Sequence, residues 1–344
     1  MKKVLAFAAI SLSLIACKKE GKTTETKTEN NKTETSASGT STAEVKEEIK
    51  PAISDSLGVY KLKYKLEKGK TYPFVLSQKD VQSMTMGDKS QSNTNETTDN
   101  ITFTVTNFDK GIYDMDVHFI SKKQVGNTQG QSISVDTDGA EPKNENLKIF
   151  WKVNKALMGN TLKMKMNESG NIISFEGFDP IYAKVTTAVN GAVKDANQRK
   201  ALIEGFKQGF SDNALKAQFK ANINLFPEKG LKIGQSFSES ANLSPDGKLK
   251  STTTFTLAKV ENGIAEITVK GGVPKKSDKQ SQNGVTQTVS LQAVQSGSLK
   301  LDTQTGWMKT SALTMTSTQS QTLSDGKQTQ TATQKNVSTT KINP

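Results

Sequence analysis

An internal repeat constrains the fold of this chain more than any other feature of its sequence. The segment FTVTNFDKGIYDMDV, which starts at Phe103, aligns without gaps with FTLAKVENGIAEITV, which starts at Phe255. In both, alternating apolar and polar residues flank a three-residue loop that ends in Gly111 or Gly263. Strict alternation is typical of a half-buried strand, and glycine suits the left-handed last position of such a loop. The repeat therefore predicts two copies of one antiparallel hairpin.

The likeness between the two halves extends beyond the hairpins. Upstream, GKTY at Gly69 resembles GQSF at Gly234. Downstream, the segment that starts at Leu162 resembles the segment that starts at Leu299 with a one-residue slip, and this alignment makes Leu301 the counterpart of Met164. Each half is therefore predicted to be a meander of antiparallel strands.

Between the two halves the hydrophobic period changes from two residues to 3.6, which predicts helices. Asp179 can cap and Pro180 can begin the first of them. Its apolar stripe comprises Ile181, Val185, Val189, Ala192 and Val193. A second helical stretch that stops near Gly209 carries Leu202, Ile203 and Phe206. Ser211 can cap a third helix, which carries Leu215 and Phe219.

The predicted fold class is α+β, mainly antiparallel β, with two repeated β-meander halves flanking a central helical segment. The predicted boundaries are 1–17 for a signal peptide, 18–55 for a disordered polar tether and 56–344 for the folded domain. Within the folded domain, we expect the first β repeat at 56–178, the helical centre at 179–224 and the second β repeat at 225–344.

The N-terminus carries the features of a bacterial lipoprotein signal. Two lysines precede an apolar run that is too short to span a bilayer, since a spanning helix needs about 20 apolar residues. The run ends in Leu14, Ile15, Ala16 and Cys17, which together resemble a lipobox. That resemblance implies that the thiol of Cys17 receives a diacylglyceryl group and that cleavage occurs just before it. The alternative is an ordinary signal peptide with a chance cysteine.

The residues after Cys17 favour the outer membrane. Asp at the position occupied by Lys18 is the inner-membrane retention signal of enterobacterial lipoproteins, and it is absent here. The tether is composed almost wholly of polar residues, so it cannot bury enough apolar surface to order itself. We expect a cell-envelope lipoprotein held by its N-terminal lipid, on the periplasmic face of the outer membrane or on the cell surface.

The basic charge of the chain does not indicate nucleic-acid binding. The formal net charge is +12, but Arg199 is the only arginine, whereas base readout relies heavily on arginine. The lysines are also spread along the sequence without a dense cluster. We therefore expect a solvated basic surface and no nucleic-acid partner.

One strand carries a possible set of metal ligands. Asp114, Asp116 and His118 alternate and therefore share a face, a spacing that could hold a metal ion. The other face of this strand is apolar, so the charged set is better interpreted as its solvent face. The second repeat has Lys270 at the position of His118, and a lysine would repel a cation. We predict no metal site.

Methionine pairs raise a second possibility, copper binding through soft sulfur ligands. Met84 with Met86, and Met164 with Met166, are each two residues apart. Because the predicted counterpart of Met164 is a leucine, core packing is the preferred interpretation of both pairs.

Sequence motifs of catalysis and of cofactor binding are missing. His118 belongs to no serine or cysteine nucleophile motif, and the sequence contains no P-loop, dinucleotide fingerprint, HExxH or CxxC pair. A hydrolase with two carboxylates brought together only in space stays open. We predict a protein that is not an enzyme and needs no cofactor.

The lipobox, the tether, YKLKYKLEKGKTY from Tyr60 and LFPEKGLKIGQSF from Leu225 together resemble an uncharacterised family of Bacteroidota lipoproteins of flavobacterial type, a domain of unknown function. The resemblance implies a lineage and no activity.

Two hypotheses about the function remain. The first is a non-enzymatic binding or structural envelope protein that presents a polar β surface to a protein or glycan. The second is a carrier of a lipid or other hydrophobic ligand in a half-barrel-like cavity. The mixed Ala and Val of the helical stripe indicate close packing and favour the first.

Overall fold

The computed structural model describes residues 51–128, 131–223, 226–244, 249–282 and 284–344. The predicted signal peptide, the lipobox with Cys17 and the tether up to residue 50 lie outside these ranges. The strands are β1 Ile53–Ser56, β2 Val59–Leu62, β3 Thr71–Met86, β4 Lys89–Asp109, β5 Ile112–Thr128, β6 Gln131–Asp136, β7 Thr161–Asn167, β8 Ile172–Glu176, β9 Ser236–Asn242, β10 Lys250–Glu261, β11 Ile264–Gln282, β12 Val285–Asp302, β13 Met308–Ser324 and β14 Thr329–Ile342. The helices are α1 Glu145–Leu157, α2 Phe178–Ala192, α3 Ala196–Gly209 and α4 Asp212–Ile223.

A twelve-stranded antiparallel sheet dominates the fold. Eleven of its strands are ordered β8-β7-β5-β4-β3-β14-β13-β12-β11-β10-β9, and β6 pairs with β5 beside β7. Strands β1 and β2 form a separate hairpin. The predicted class, mainly antiparallel β with central helices, is confirmed at this level.

The two predicted hairpins form and have the same local geometry. Each turn contains two residues and not the predicted three, because Asp109 pairs with Ile112 and Glu261 pairs with Ile264. Both turns place two consecutive residues in the left-handed region, with φ of 48° and 78° at Lys110 and Gly111 and of 50° and 74° at Asn262 and Gly263. The β4–β5 register shifts just after Val105, and the β10–β11 register shifts just after Leu257, at aligned positions. That this correspondence arose by duplication stays a prediction.

The strand register corrects the downstream alignment of the two halves. Met164 lies opposite Met115 on β5, and Leu299 lies opposite Ile267 on β11. Because Met115 and Ile267 are aligned in the hairpins, the structural counterpart of Met164 is Leu299 and not Leu301. The sequence alignment, which paired Met164 with Leu301, was therefore wrong by two residues at this strand.

Two predicted boundaries also differ from the structure. Helix α1 lies inside the region 56–178, which was predicted to be β throughout. Asn144 caps it, because its side-chain oxygen accepts hydrogen bonds from the amides of Asn146 and Leu147. Strand β1 begins at Ile53, and both Ala52 and Ile53 are buried, so the last residues of the predicted tether belong to the fold.

The helical centre contains the three predicted helices, with one different cap. Helix α2 begins at Phe178 after a left-handed Gly177, so Asp179 lies in the first turn and does not cap it. Of the predicted stripe, Ile181, Val185, Val189 and Val193 are buried. Ser211 caps α4 as predicted, since its hydroxyl accepts a hydrogen bond from the amide of Ala214.

The core lies between these helices and one half of the sheet. Phe219 of α4 is 1% exposed and packs against Phe74, Phe103 and Phe175, with ring centroids 5.4, 5.5 and 5.8 Å away. Such aromatic clusters bury large apolar areas and contribute strongly to stability. Helix α4 therefore closes the sheet at this point.

The buried phenol of Tyr64 makes the stability of the core depend on pH in the alkaline range. Its hydroxyl donates a hydrogen bond to the Ile223 carbonyl oxygen at 2.8 Å, and burial raises its pKa well above the usual value of 10.0. The unfolded chain loses this proton first as pH rises. The Tyr64 contribution to stability is therefore complete below about pH 10 and decreases above it.

We expect the free energy of unfolding to fall by about 1.4 kcal/mol per pH unit above about pH 10 through Tyr64 alone. Tyr64→Phe removes this slope and costs about 1 kcal/mol at neutral pH, because the Ile223 carbonyl loses its donor. Urea unfolding of the full-length protein at about pH 8 and about pH 11 measures both effects. Tyr60→Phe, at a half-buried position, is the control, and equal slopes in Tyr64→Phe and wild type would contradict the prediction.

Candidate functional site

The long strands extend beyond the helices into a second half of the sheet. We call residues 78–98, 122–134, 276–296 and 313–340 the distal sheet; it contains parts of β3–β6 and β11–β14. None of its described side chains is buried. Both faces of the distal sheet are therefore partly exposed to solvent, unlike the half that packs against the helices.

The outer face of the distal sheet carries cross-strand pairs of serine and threonine. Hydroxyl oxygens lie 3.0 Å apart in Ser320 and Thr333, and 3.1 Å apart in Thr322 and Thr331. Between β11 and β12, the oxygens of Ser281 and Thr286 lie 2.9 Å apart. Such pairs stabilise neighbouring strands without an apolar surface. This face is rich in hydroxyl groups, although the register also places Val81, Val337 and Val294 on it.

The opposite face, which we call the core-side face, continues the surface that carries Phe74. Successive residues of a strand alternate between faces, so Met84 of β3 lies on the core-side face. The register places Gln91, Met84, Gln334, Gln319 and Leu291 side by side across five strands. Amide groups and apolar side chains are therefore mixed on this face.

One acceptor on the core-side face lacks a partner. Asn336 lies between Gln82 and Ser317 in the register, and its side-chain oxygen is buried without a hydrogen bond from any described residue. A buried acceptor without a donor costs about 1–3 kcal/mol. A hydroxyl or amide of a bound ligand, or a water molecule, would satisfy it.

The two methionine pairs have opposite environments. Met164 and Met166 are 1% and 0% exposed, as predicted, whereas Met84 and Met86 are 53% and 59% exposed. The prediction of core packing was wrong for Met84 and Met86, because β3 continues past the helices.

We expect Met84→Ala to change the free energy of unfolding by less than about 0.5 kcal/mol, as for other exposed positions. Met164→Ala, the matched change in the core, should cost about 2–5 kcal/mol. Chemical denaturation of both full-length variants measures the difference. Equal losses would mean that the distal sheet is covered in the folded protein.

The two aspartates on the predicted acidic face of β5 form ion pairs with lysines of β7. Asp116 pairs with Lys163 at 2.6 Å and Asp114 with Lys165 at 3.4 Å. The Nδ1 atom of His118 lies 3.1 Å from the Thr161 hydroxyl. Over the described ranges, no three His, Cys, Asp or Glu side chains are grouped so that they could hold a metal ion. The lysines neutralise the carboxylates, and cation binding would have to displace them.

Similarity to a protein family covers more than half of the chain. Residues 110–308, from the β4–β5 turn to the start of β13, match a family described as a family of unknown function, DUF6263. The chain belongs to this family. The DUF6263 match includes all four helices and strands β5 to β12, but the long strands β3, β4 and β14 lie outside it. Membership assigns no activity.

Other comparisons add little to the family assignment. No curated protein matches the chain. Among solved structures, lipovitellin, from a study of lipid–protein interactions, is 11% identical with a TM-score of 0.35, and the match covers 80% of this chain and 25% of lipovitellin. A mutant porin of Rh. blastica is 9% identical with a TM-score of 0.20 and coverage of 79% and 100%. OccK5 of Pseudomonas aeruginosa is 6% identical with a TM-score of 0.18 and coverage of 80% and 99%. Scores this low do not establish a shared fold.

Within the described ranges, no helix has both the length and the apolar character needed to cross a bilayer.

Proposed function

We propose that this DUF6263 protein is a non-enzymatic, lipid-anchored binding protein of the bacterial cell envelope. Lipid on Cys17 holds it to the outer membrane, and the distal sheet contacts an envelope protein or glycan. The proposal places the protein among Bacteroidota lipoproteins, as the resemblance of its sequence implies. No cofactor, metal ion or nucleic acid takes part in this function.

The exposure of the distal sheet is the observation that carries the proposal. A sheet that buries neither face gains little from the hydrophobic effect, which supplies most of the stability of a folded protein. Its amides, hydroxyls and exposed methionines are instead available to a partner. The partnerless oxygen of Asn336 supports a contact on the core-side face, where a donor from the partner would complete its hydrogen bonding.

Site-specific photocrosslinking tests this proposal. A photoreactive amino acid replaces Met84 or Met315 on the core-side face, which are 53% and 45% exposed. The full-length chain is expressed in a bacterium of the proposed lineage and irradiated in intact cells. Lys200 of α3, whose side chain is 75% exposed, is the control position. We expect the same adduct from both distal positions and none from Lys200. Absence of an adduct at both distal positions would contradict the proposal.

The alternative is a carrier of a hydrophobic ligand, and one observation favours it. Leu291, opposite Gln319, and Leu313, two residues from Met315, lie half-buried on the core-side face, so an apolar ligand would find contacts there. Native mass spectrometry of the full-length lipoprotein, released from neutral detergent, distinguishes the two functions. A non-covalent lipid mass on most molecules would support the carrier, whereas the mass of the lipoprotein alone would support the binding protein.

A further inference from the structure

A cavity with a basic lining lies among the helices, away from the distal sheet. Its volume is about 540 Å³, and its walls come from α1, the C-terminal end of α2 and the start of α3. Lys148 and Lys152 of α1 line it together with Lys194 and Arg199. Glu145 is the one acidic residue of the lining. Four cationic side chains from two segments that are distant in sequence therefore surround one space.

The carboxylates near the cavity balance only part of this charge. Lys148 pairs with Glu145 at 2.9 Å and with Glu141 at 3.6 Å, and Lys152 pairs with Glu141 at 3.7 Å. Within the described part of the chain, neither Lys194 nor Arg199 has a carboxylate oxygen within 4.0 Å. The four cationic side chains of the lining and the two carboxylates paired with them leave a surplus of two positive charges; Asp195 caps α3 through the amide of Gln198 and forms no described ion pair.

Arg199 is held in place beside the cavity. Its Nη1 atom donates hydrogen bonds to the carbonyl oxygens of Val193 and Lys194, at 3.1 and 2.8 Å. A guanidinium has five N–H donors in a planar fork, and these two bonds use one nitrogen. The remaining donors have no other described partner and are available to a ligand. The only arginine of the chain is thus preorganised at the point of surplus charge.

We propose that this cavity binds a phosphomonoester, the shared chemistry of a soluble sugar or polyol phosphate and of the headgroup of phosphatidic acid. A phosphomonoester carries a charge of about −1.5 to −2 at neutral pH, which matches the surplus of two. Arginine binds phosphate oxygens in pairs, through parallel N–H donors. The volume falls in the usual range of small-ligand sites, about 300–1,000 Å³, and leaves room for the organic group. This site is independent of the function proposed for the distal sheet.

Calorimetric titration of the full-length protein in neutral detergent tests the proposal. The probes are glycerol 3-phosphate, glycerol, and dilauroyl phosphatidic acid carried in the same detergent. We expect binding of one or both phosphate probes and none of glycerol. Binding of both with similar affinity identifies a soluble phosphate ester as the ligand class, and binding of the lipid alone identifies a headgroup. The absence of binding by both phosphate probes at about 10 mM, weaker than ordinary small-ligand affinities, would overturn the proposal.

Three variants connect binding to the cavity. Arg199→Lys keeps the charge but loses the paired donors, and we expect affinity to fall by about tenfold or more. Lys194→Ala removes charge without removing a described hydrogen bond, so it should weaken binding while thermal unfolding stays unchanged. Lys200→Ala, on the same helix but outside the lining, should bind as wild type does. An equal loss in Lys200→Ala and Lys194→Ala would show non-specific attraction and overturn the assignment.

Discussion

Phe219→Ala is expected to lower the free energy of unfolding by about 3–5 kcal/mol, a large part of the stability of an ordinary domain. Phe219 of α4 is fully enclosed, and its ring contacts those of Phe74, Phe103 and Phe175. Truncation removes these contacts and leaves a cavity, because three rings from separate strands cannot all move inward to fill it.

Urea unfolding of the full-length protein measures this loss as a shift of the midpoint at constant slope. Phe150→Ala in α1 is the matched control, since its ring is 38% exposed and its truncation should cost about 1 kcal/mol or less. Similar losses in the two variants would mean that α4 does not close the sheet. An open sheet would in turn favour the carrier function over the binding function.

Cys17→Ser is expected to move the protein from the membrane fraction to the soluble fraction almost completely, or to leave it unprocessed. The expectation rests on the proposed lipid anchor. A single acyl chain holds a protein only marginally, whereas two or three chains, at about 0.8 kcal/mol per buried methylene, hold it stably. With the thiol removed, no chain is attached.

Fractionation of cells fed an alkyne-labelled fatty acid measures both processing and attachment. The wild-type chain should carry the label and sediment with the outer membrane, while Cys17→Ser should carry none. Lys18→Ala, beside Cys17, is the control and should still be labelled. A Cys17→Ser chain that is cleaved and still sediments with membranes would contradict a lipid anchor at this residue.

Local patterns predicted the elements whose geometry is set by neighbouring residues. The two hairpins follow from alternation and from Gly111 and Gly263, because a left-handed position at the turn is a local requirement. The buried stripe of α2 follows from the 3.6-residue period, and the cap at Ser211 follows from the preference of serine for helix N-termini. The repeat predicts strands in place of helix α1, because the second half has strands at the corresponding position, although Asn144 is suited to cap a helix.

Local patterns do not predict the environment of the methionine pairs or the basic cavity. The two-residue spacing of the methionine pairs assigns each pair to one face of a strand, but it does not show whether anything covers that face. Met164 lies under helices and Met84 lies past them, since β3 is longer than the layer that packs on it. The basic cavity was not predicted either, because Lys148 and Arg199 meet only when α1 packs beside α2.

The sequence by itself determined the two hairpins, most of the strands and the central helices, all of which depend on residues close together in the chain. The tertiary structure alone decided how far the helices cover the sheet, and therefore which strand residues form the core and which form the distal sheet. It also decided which of many dispersed lysines join the single arginine. Coverage and clustering depend on the lengths and packing of elements distant in sequence, and no local pattern encodes them.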